Sequence, residues 1–319
     1  MKSTLLKSLQ GVEERMREHL RSHVPLIPLV SEHLLSGGGK RIRPLLVILC
    51  ARLCGCHRPD LLDLAAAVEF IHTASLLHDD VVDGSALRRG RASANAVWGN
   101  EASVLVGDFL FARSFSTLVR LGNPRILEIL SGATEVMAEG EVLQLSNLRN
   151  PSFDMEVYLQ VVRCKTAALM AAACRCGAVL GGADPARETA LEGFGLDIGM
   201  AFQFVDDLLD YAGSVDEVGK AKGGDLKDGK LTLPLLHALK RAGPAEREAV
   251  MDVVLRDNKT AADFQQVFSF VARYGGIGEA RNAARQQVEQ AKNRLGVFPD
   301  DAAKKELLEV ADFLTERRR

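Results

Sequence analysis

Apolar residues recur every three to four positions through most of this chain, the spacing that gathers them on one face of a helix. The segments LVILCARLCGC (46–56), DLLDLAAAVEFIHTASLLHDDVVD (60–83), NEASVLVGDFLFARSFSTLVRL (100–121), RILEILSGATEVMAEGEVLQLSNL (125–148), MEVYLQVVRCKTAALMAAACRCGAVLG (155–181) and ETALEGFGLDIGMAFQFVDDLLDYA (188–212) are long, rich in Ala and Leu, and free of internal proline. Helix is predicted for each, which leaves little room for strands. Several are apolar nearly all round, as helices surrounded by other helices are in one large bundle. The first twenty residues read as an amphipathic helix carrying both signs of charge. Breaks are predicted at Gly37–Gly39, Gly84–Gly90, Asn123-Pro124, Asn150-Pro151, Gly181-Gly182 and Gly213–Gly229. None resembles an interdomain linker, so residues 1–319 are read as one all-α domain. From about Pro244 the helices are shorter and more charged, and are expected on the flank of the bundle.

Composition narrows the function classes. A formal net charge of −2 provides no global basic field, so nucleic acid is not expected as a partner. Functional charge must be local. The N-terminus lacks the long apolar stretch and small-residue cleavage site of a secretory signal. Asp63, Glu69 and His72 interrupt the longest apolar run, so no transmembrane segment is expected. The six cysteines, at 50, 54, 56, 164, 174 and 176, lie in helix-like apolar contexts and lack zinc-site or disulfide-scaffold spacing. They read as reduced, buried thiols, and the compartment as cytoplasmic.

Within the apolar run Leu64–Asp83, the stretch HDDVVD holds three carboxylates that nothing in the run neutralises. FQFVDDLLDY, 202–211, repeats the pattern: two adjacent aspartates and a third four residues after the first. On a helix Asp79 and Asp83 share one face one turn apart, as do Asp206 and Asp210, while Asp80 and Asp207 point roughly 100° away. At about 6 Å and an effective dielectric near 20, two like charges repel by roughly 3 kcal/mol. A cation must offset this. Aspartate oxygens are hard ligands, and two such pairs facing each other across a cavity suit several Mg²⁺ ions that keep water and take oxygen from a bound phosphate. One motif of this kind reads as readily as a solvated helix face; two copies in apolar helices do not.

Phosphate held by metal on one side calls for cationic side chains on the other. GGGKRIRP (37–44) places Lys40, Arg41 and Arg43 at a glycine-rich turn entering a helix, where backbone N–H groups also favour anions. LRRGRAS sets Arg88, Arg89 and Arg91 just beyond Asp83, and GKAKGGDLKDGKLTLP brings Lys220, Lys222, Lys227 and Lys230 into a loop after the second motif. Basic loops thus follow both acidic helices. A di-iron reading of Glu69-Phe70-Ile71-His72 fails, because such centres need two ExxH motifs and the chain has one.

Taken together, GGGKRIRP, IHTASLLHDDVVDGSALRRGRASAN, VGDFLFARSF, EGEVLQL, KTAAL, FQFVDDLLDY and GKAKGGDLKDGKLTLPLL resemble the blocks of the trans-polyprenyl diphosphate synthases, especially the long-chain type, in that family's order from about residue 30 to 240. The resemblance implies an isoprenoid-synthase bundle, usually a homodimer, with a deep central cavity. It implies that Asp79, Asp83 and Asp206 hold magnesium on an allylic diphosphate, with Asp80, Asp207 and Asp210 as supporting ligands or a second layer. By the same carry-over Arg88, Lys165, Lys220 and Lys230 grip that diphosphate, while isopentenyl diphosphate meets Lys40, Arg43, His72 and Arg89. Thr166 and Gln203 match positions lining the reacting carbons.

One helical turn before Asp79 stand Ala74 and Ser75, about 5–7 Å deeper along the axis on nearly the same face. In family terms small residues there imply an open tunnel and a long product, of the octaprenyl kind, supplied to quinone side chains. Met137 is the expected plug of a deeper floor. Rival readings are a farnesyl or geranylgeranyl synthase, a non-catalytic partner subunit, which typically lacks one or both aspartate motifs, and a terpene cyclase, which has no second diphosphate to hold with a KRIRP block. The closing Arg317-Arg318-Arg319 could touch an anionic membrane during product release.

Overall fold

The proline-free Ala/Leu runs form helices, and glycine or proline stands at most of their ends. The computed structural model describes residues 2–37, 39–148, 150, 154–211 and 223–315. Helices α1 (Lys2–His19), α2 (Leu26–Ser36), α3 (Ile42–Leu53) and α4 (Leu61–Val82) precede a small hairpin, β1 (Leu87–Arg88) and β2 (Arg91–Ala92). Next come α5 (Ala94–Trp98), α6 (Asn100–Leu121), α7 (Pro124–Ser146) and α8 (Met155–Val162), the last passing through one π-helical turn, Arg163–Ala167, into α9 (Ala168–Leu180). They are followed by α10 (Pro185–Tyr211), α11 (Gly224–Lys227), α12 (Leu233–Arg241), α13 (Pro244–Leu255), α14 (Ala261–Arg273), α15 (Gly276–Arg294) and α16 (Ala302–Thr315). The all-α reading holds: among the described residues, strand is confined to the hairpin.

The chain divides into two compact units. The first comprises Met1–Thr134, Ala172–Glu192 and Phe298–Leu307, and the second Glu135–Ala171, Gly193–Val297 and Leu308–Arg319. In the first, α4 buries Leu64, Phe70, Ile71, Ala74 and Leu77 completely, and α6 adds Leu110 and Leu118. A buried Ser114 hydroxyl donates to the Ala67 carbonyl at 2.9 Å, spending a polar group where the two helices cross. Burial of most of α4 explains why its sequence lacks a broad polar face. In the second unit Phe204, Val205, Leu235, Val254, Val267 and Phe270 form a core drawn from α10, α12, α13 and α14. α14 opens with a capping box, Thr260 accepting from the Asp263 N–H and Asp263 accepting from the Thr260 N–H.

Two expectations need correction. All six cysteines are free thiols, but Cys54 and Cys164 are only partly buried, whereas the other four are buried. Charges inside the apolar runs also do not bar membrane-length helices. Leu61–Val82, Asn100–Leu121 and the continuous Met155–Leu180 are long and apolar enough to cross a membrane by length and composition, although 67% of the α4 window is buried inside the protein. The charged residues are too widely spaced to break them.

Candidate active site

In the first unit, α4 ends where Asp83 caps it and Gly84 takes a left-handed conformation. Asp79 is partly buried and Asp83 exposed. Asp80, 1% exposed, turns inward as its roughly 100° offset requires. There Arg88 grips both its oxygens, Nε at 2.7 Å from Oδ2 and Nη2 at 2.7 Å from Oδ1. Asn95 donates to the Asp80 backbone carbonyl at 3.1 Å. The two-residue turn of the hairpin, Arg89-Gly90, has positive φ at both positions (52° and 76°), which matches the strand twist and holds Arg89 at the tip. A Cβ on Gly39 would lie 2.7 Å from Arg89 Nη1, so a larger residue there would push this guanidinium aside.

Arg41 and Arg89 are the only non-glycine residues among those described with positive φ. Backbone strain of this kind concentrates at functional sites. Arg41 is held there by a buried ion pair to Glu69 (Nη1 to Oε1, 2.8 Å), a bond to the Leu35 carbonyl (2.7 Å) and Glu13 at 3.7 Å. Glu69 therefore serves to shape the basic loop. His72, one turn further along α4, stays neutral well below its usual range, first through burial and then through the charges of Arg43, Arg89, Arg88 and Arg41. The structure thus brings His72, Arg43, Arg88 and Arg89 into one electropositive cluster; Lys40, three residues before Arg43, is exposed. Ala74 is fully buried, and Ser75 is partly buried with its hydroxyl donating to the His72 carbonyl at 2.8 Å.

In the second unit Gly195, Gly199, Gln203 and Asp207 stand four residues apart along one stripe of α10. A Cβ on Gly195 would lie 2.4 Å from the Met170 carbonyl, and one on Gly199 2.5 Å from Ala167 Cα. The two glycines let the backbones touch, and the next turn of α10 then meets Thr166. Gly199→Val should cost about 1–3 kcal/mol through overpacking, read as a lower urea midpoint, and should also break the hydrogen bond between Thr166 and Gln203. An unchanged midpoint would mean that the crossing relaxes freely.

Thr166 Oγ1 donates to Gln203 Oε1 at 2.9 Å, Gln203 Nε2 donates to Asp207 Oδ1 at 2.8 Å, and the Tyr158 hydroxyl donates to Asp207 Oδ2 at 2.5 Å. The Leu233 N–H adds a longer bond of 3.4 Å. Burial pushes the Asp207 carboxyl up to about 6 despite these donors. Lys165 and Thr166 lie on the π turn, where the helical hydrogen-bond ladder slips by one residue, a feature common at functional sites. Lys165 pairs with Glu141 of α7. Tyr158, Lys165, Thr166, Gln203 and Asp207, with Lys230, line a cavity of about 170 Å³.

Asp206 is partly buried. Asp210 accepts from the backbone N–H groups of Gly223 (2.8 Å), Gly224 (3.1 Å) and Asp225 (3.1 Å), anchoring the start of α11. Asp225 also lines the cavity, and its carboxyl sits well above the usual range through burial and the charges of Asp207 and Asp210. Met137 is a partly buried residue of α7. Lys220, Lys222 and the terminal arginines lie outside the described residues. Sequence reasoning missed Tyr158, Glu141 and Asp225; Asp225 alone carried a signal, as an acid within a basic loop next to an acidic helix.

The donors fit Mg²⁺. Asp79 and Asp83 offer hard oxygens one turn apart on the rim of α4, and among the described residues no three such side chains gather closely enough to hold an ion by themselves. Carboxylate oxygens are the ligand type that a hard divalent cation takes.

Comparison with known proteins supplies the family. A polyprenyl synthetase profile matches residues 24–271. The chain is 41% identical over 313 residues to octaprenyl diphosphate synthase of Escherichia coli, covering 98% of this chain and 97% of that one. Among solved structures, a decaprenyl diphosphate synthase from Rhodobacter capsulatus superposes with a TM-score of 0.95 at 44% identity, covering 99% and 98% of the two chains. A polyprenyl synthase from Caulobacter crescentus, complexed with calcium and isoprenyl diphosphate, gives 0.93 at 44% identity, covering 99% and 97%. With that likeness running through both units, the chain belongs to the polyprenyl synthetase family.

Proposed function

We propose that this chain is a long-chain all-trans polyprenyl diphosphate synthase, a single catalytic domain that adds isopentenyl diphosphate head to tail onto an allylic primer. The observation carrying this reading is the Lys165–Thr166–Gln203 face of the cavity, a cation beside two oriented dipoles, in a chain that keeps both aspartate motifs and every basic block. Isopentenyl diphosphate binds the cluster of Lys40, Arg43, His72 and Arg89, where a neutral imidazole hydrogen-bonds without adding charge. For the allylic diphosphate the proposed ligands are Lys165, Lys220 and Lys230, and the residues that would hold its metal are Asp79, Asp83 and Asp206. Arg88, fixed by Asp80, lends its charge to the same group. Mg²⁺, when bound, neutralises charge on the departing diphosphate.

From there the residues orient and shield. The cationic side chains stabilise the leaving group as the allylic C–O bond breaks, and the Thr166 hydroxyl and Gln203 carbonyl present oxygen dipoles to the resulting cation without trapping it. The double bond of isopentenyl diphosphate, pinned by its own diphosphate, attacks C1. A proton then leaves to the released pyrophosphate. No protein nucleophile is required.

The reading extends to a homodimer, supported by an exposed apolar stripe on α6 that includes Leu105 (67% exposed) and Val119 (64%), and to a cytoplasmic enzyme whose octaprenyl-like product is destined for quinone side chains. Purified alone and given labelled isopentenyl diphosphate, farnesyl diphosphate and Mg²⁺, the chain should yield long-chain products on reversed-phase chromatography. Farnesyl or geranylgeranyl products would favour the short-chain reading. No incorporation would favour a partner subunit, and a hydrocarbon product a cyclase.

A further inference from the structure

We propose that Tyr158 is a positioning residue for the condensation, setting through Asp207 and Gln203 the direction in which the Thr166 hydroxyl presents its lone pairs to the cavity. The inference rests on the functional reading above and adds to it a residue three hydrogen bonds away from the reacting carbons.

The direction of the chain follows from what each group can donate. A carboxylate only accepts. Asp207, 2% exposed, thus accepts a hydrogen bond from the Tyr158 hydroxyl on Oδ2 and requires the amide nitrogen of Gln203 on Oδ1. A flipped amide would set oxygen against oxygen in a site with little access to water. With its nitrogen committed, Gln203 can offer Thr166 only the carbonyl oxygen, 2.9 Å away. Thr166 has a single hydroxyl proton, and that proton is spent on Gln203. Its lone pairs are left for the cavity that it lines, where they stabilise positive charge. Were the carboxylate to rotate, the amide could turn over and Thr166 could point its proton at the cation.

Tyr158 is the part of this device that holds the carboxylate still. Its ring is 4% exposed and packs near Phe204, centroids 6.2 Å apart and planes 25° apart, while the constraint on the carboxylate is the hydroxyl's own bond to Oδ2. Gln203 and Asp207 ride on α10, whereas Tyr158 and Thr166 ride on α8 and the π turn that follows it. The four groups therefore close a ring between the two segments at the crossing made by Gly195 and Gly199.

The test is a double-mutant cycle on the full chain, read as single-turnover condensation of farnesyl diphosphate with isopentenyl diphosphate in the presence of Mg²⁺. Tyr158→Phe keeps the ring and removes the hydroxyl; it should slow the chemical step ~10- to 100-fold, with KM for either diphosphate within about threefold of wild type. In a Thr166→Val background the same change should add less than about a twofold loss, since the group it serves is gone. Phe204→Leu, which removes the stacked ring and leaves the hydroxyl, should stay within about threefold of wild type. Thermal melts establish that each variant is folded. A Tyr158→Phe rate equal to wild type, penalties that multiply in the double variant, or a Phe204→Leu loss matching that of Tyr158→Phe would each overturn the assignment and leave Tyr158 a packing residue. A wild-type chain that performs no condensation would instead overturn the functional reading on which the assignment stands.

Discussion

Asp79→Ala is expected to reduce condensation by about 10³-fold or more, the scale of losing metal-borne charge stabilisation at a leaving group, while leaving helical content by circular dichroism nearly intact. Asp79 and Asp83 lie one turn apart at the end of α4, where two like charges repel and a bound cation would relieve that repulsion. Asp79 lies nearer the surface than Asp80. Asp80 is buried and held through both oxygens by Arg88, so its loss would leave Arg88 without its anion as well as disturb the hairpin. Chelating Mg²⁺ from the wild type should bring its rate down to that of the variant. Wild-type turnover by Asp79→Ala would make the metal assignment wrong.

A second large effect is expected on product length. Ser75→Phe should end the chain at farnesyl or geranylgeranyl size, and Ala74→Phe should shorten it too. The two substitutions differ in structural cost. Ala74 has no exposed surface, so a phenyl ring there forces neighbours aside at about 1–3 kcal/mol. Ser75 is partly buried, with its hydroxyl turned back to the His72 carbonyl, and gives the ring a way out of the core. Ser75→Phe is therefore the sharper probe: shorter product by reversed-phase chromatography with a nearly unchanged melting temperature. Unaltered product length in both variants would remove Ala74 and Ser75 from the control of chain growth.

The helices and the acidic pairs were legible because both are local patterns. Spacing of three and four residues places Asp79 with Asp83 on one face and turns Asp80 inward, and α4 and α10 carry these residues as that spacing requires. The basic blocks were legible for the same reason, as charge next to helix-breaking glycine. Yet a charge seen in sequence does not disclose its partner. Arg41 looks equivalent to Lys40 and Arg43 in KRIR, but its guanidinium is committed to Glu69, 28 residues away. Glu69 looked like half of a metal motif for the same lack of a visible partner.

Tyr158 shows the limit most plainly. In MEVYLQVV it reads as one more apolar-face residue, and only its meeting with Asp207, 49 positions later, gives its hydroxyl a use. The π turn at Arg163–Ala167 is similarly silent, since it alters the ladder by one residue without any residue type that demands it.

Residue spacing alone determined the all-α class, the paired aspartates and the placing of basic loops after them, because these depend on neighbours within a turn or two of the chain. Tertiary structure decided which carboxylates are tied down by Arg88, Tyr158 and backbone N–H groups, and which arginines surround His72. A helix repeat fixes the direction of a side chain from its own axis, whereas the identity of what it meets depends on how separate segments pack, and that is set by the whole buried surface together.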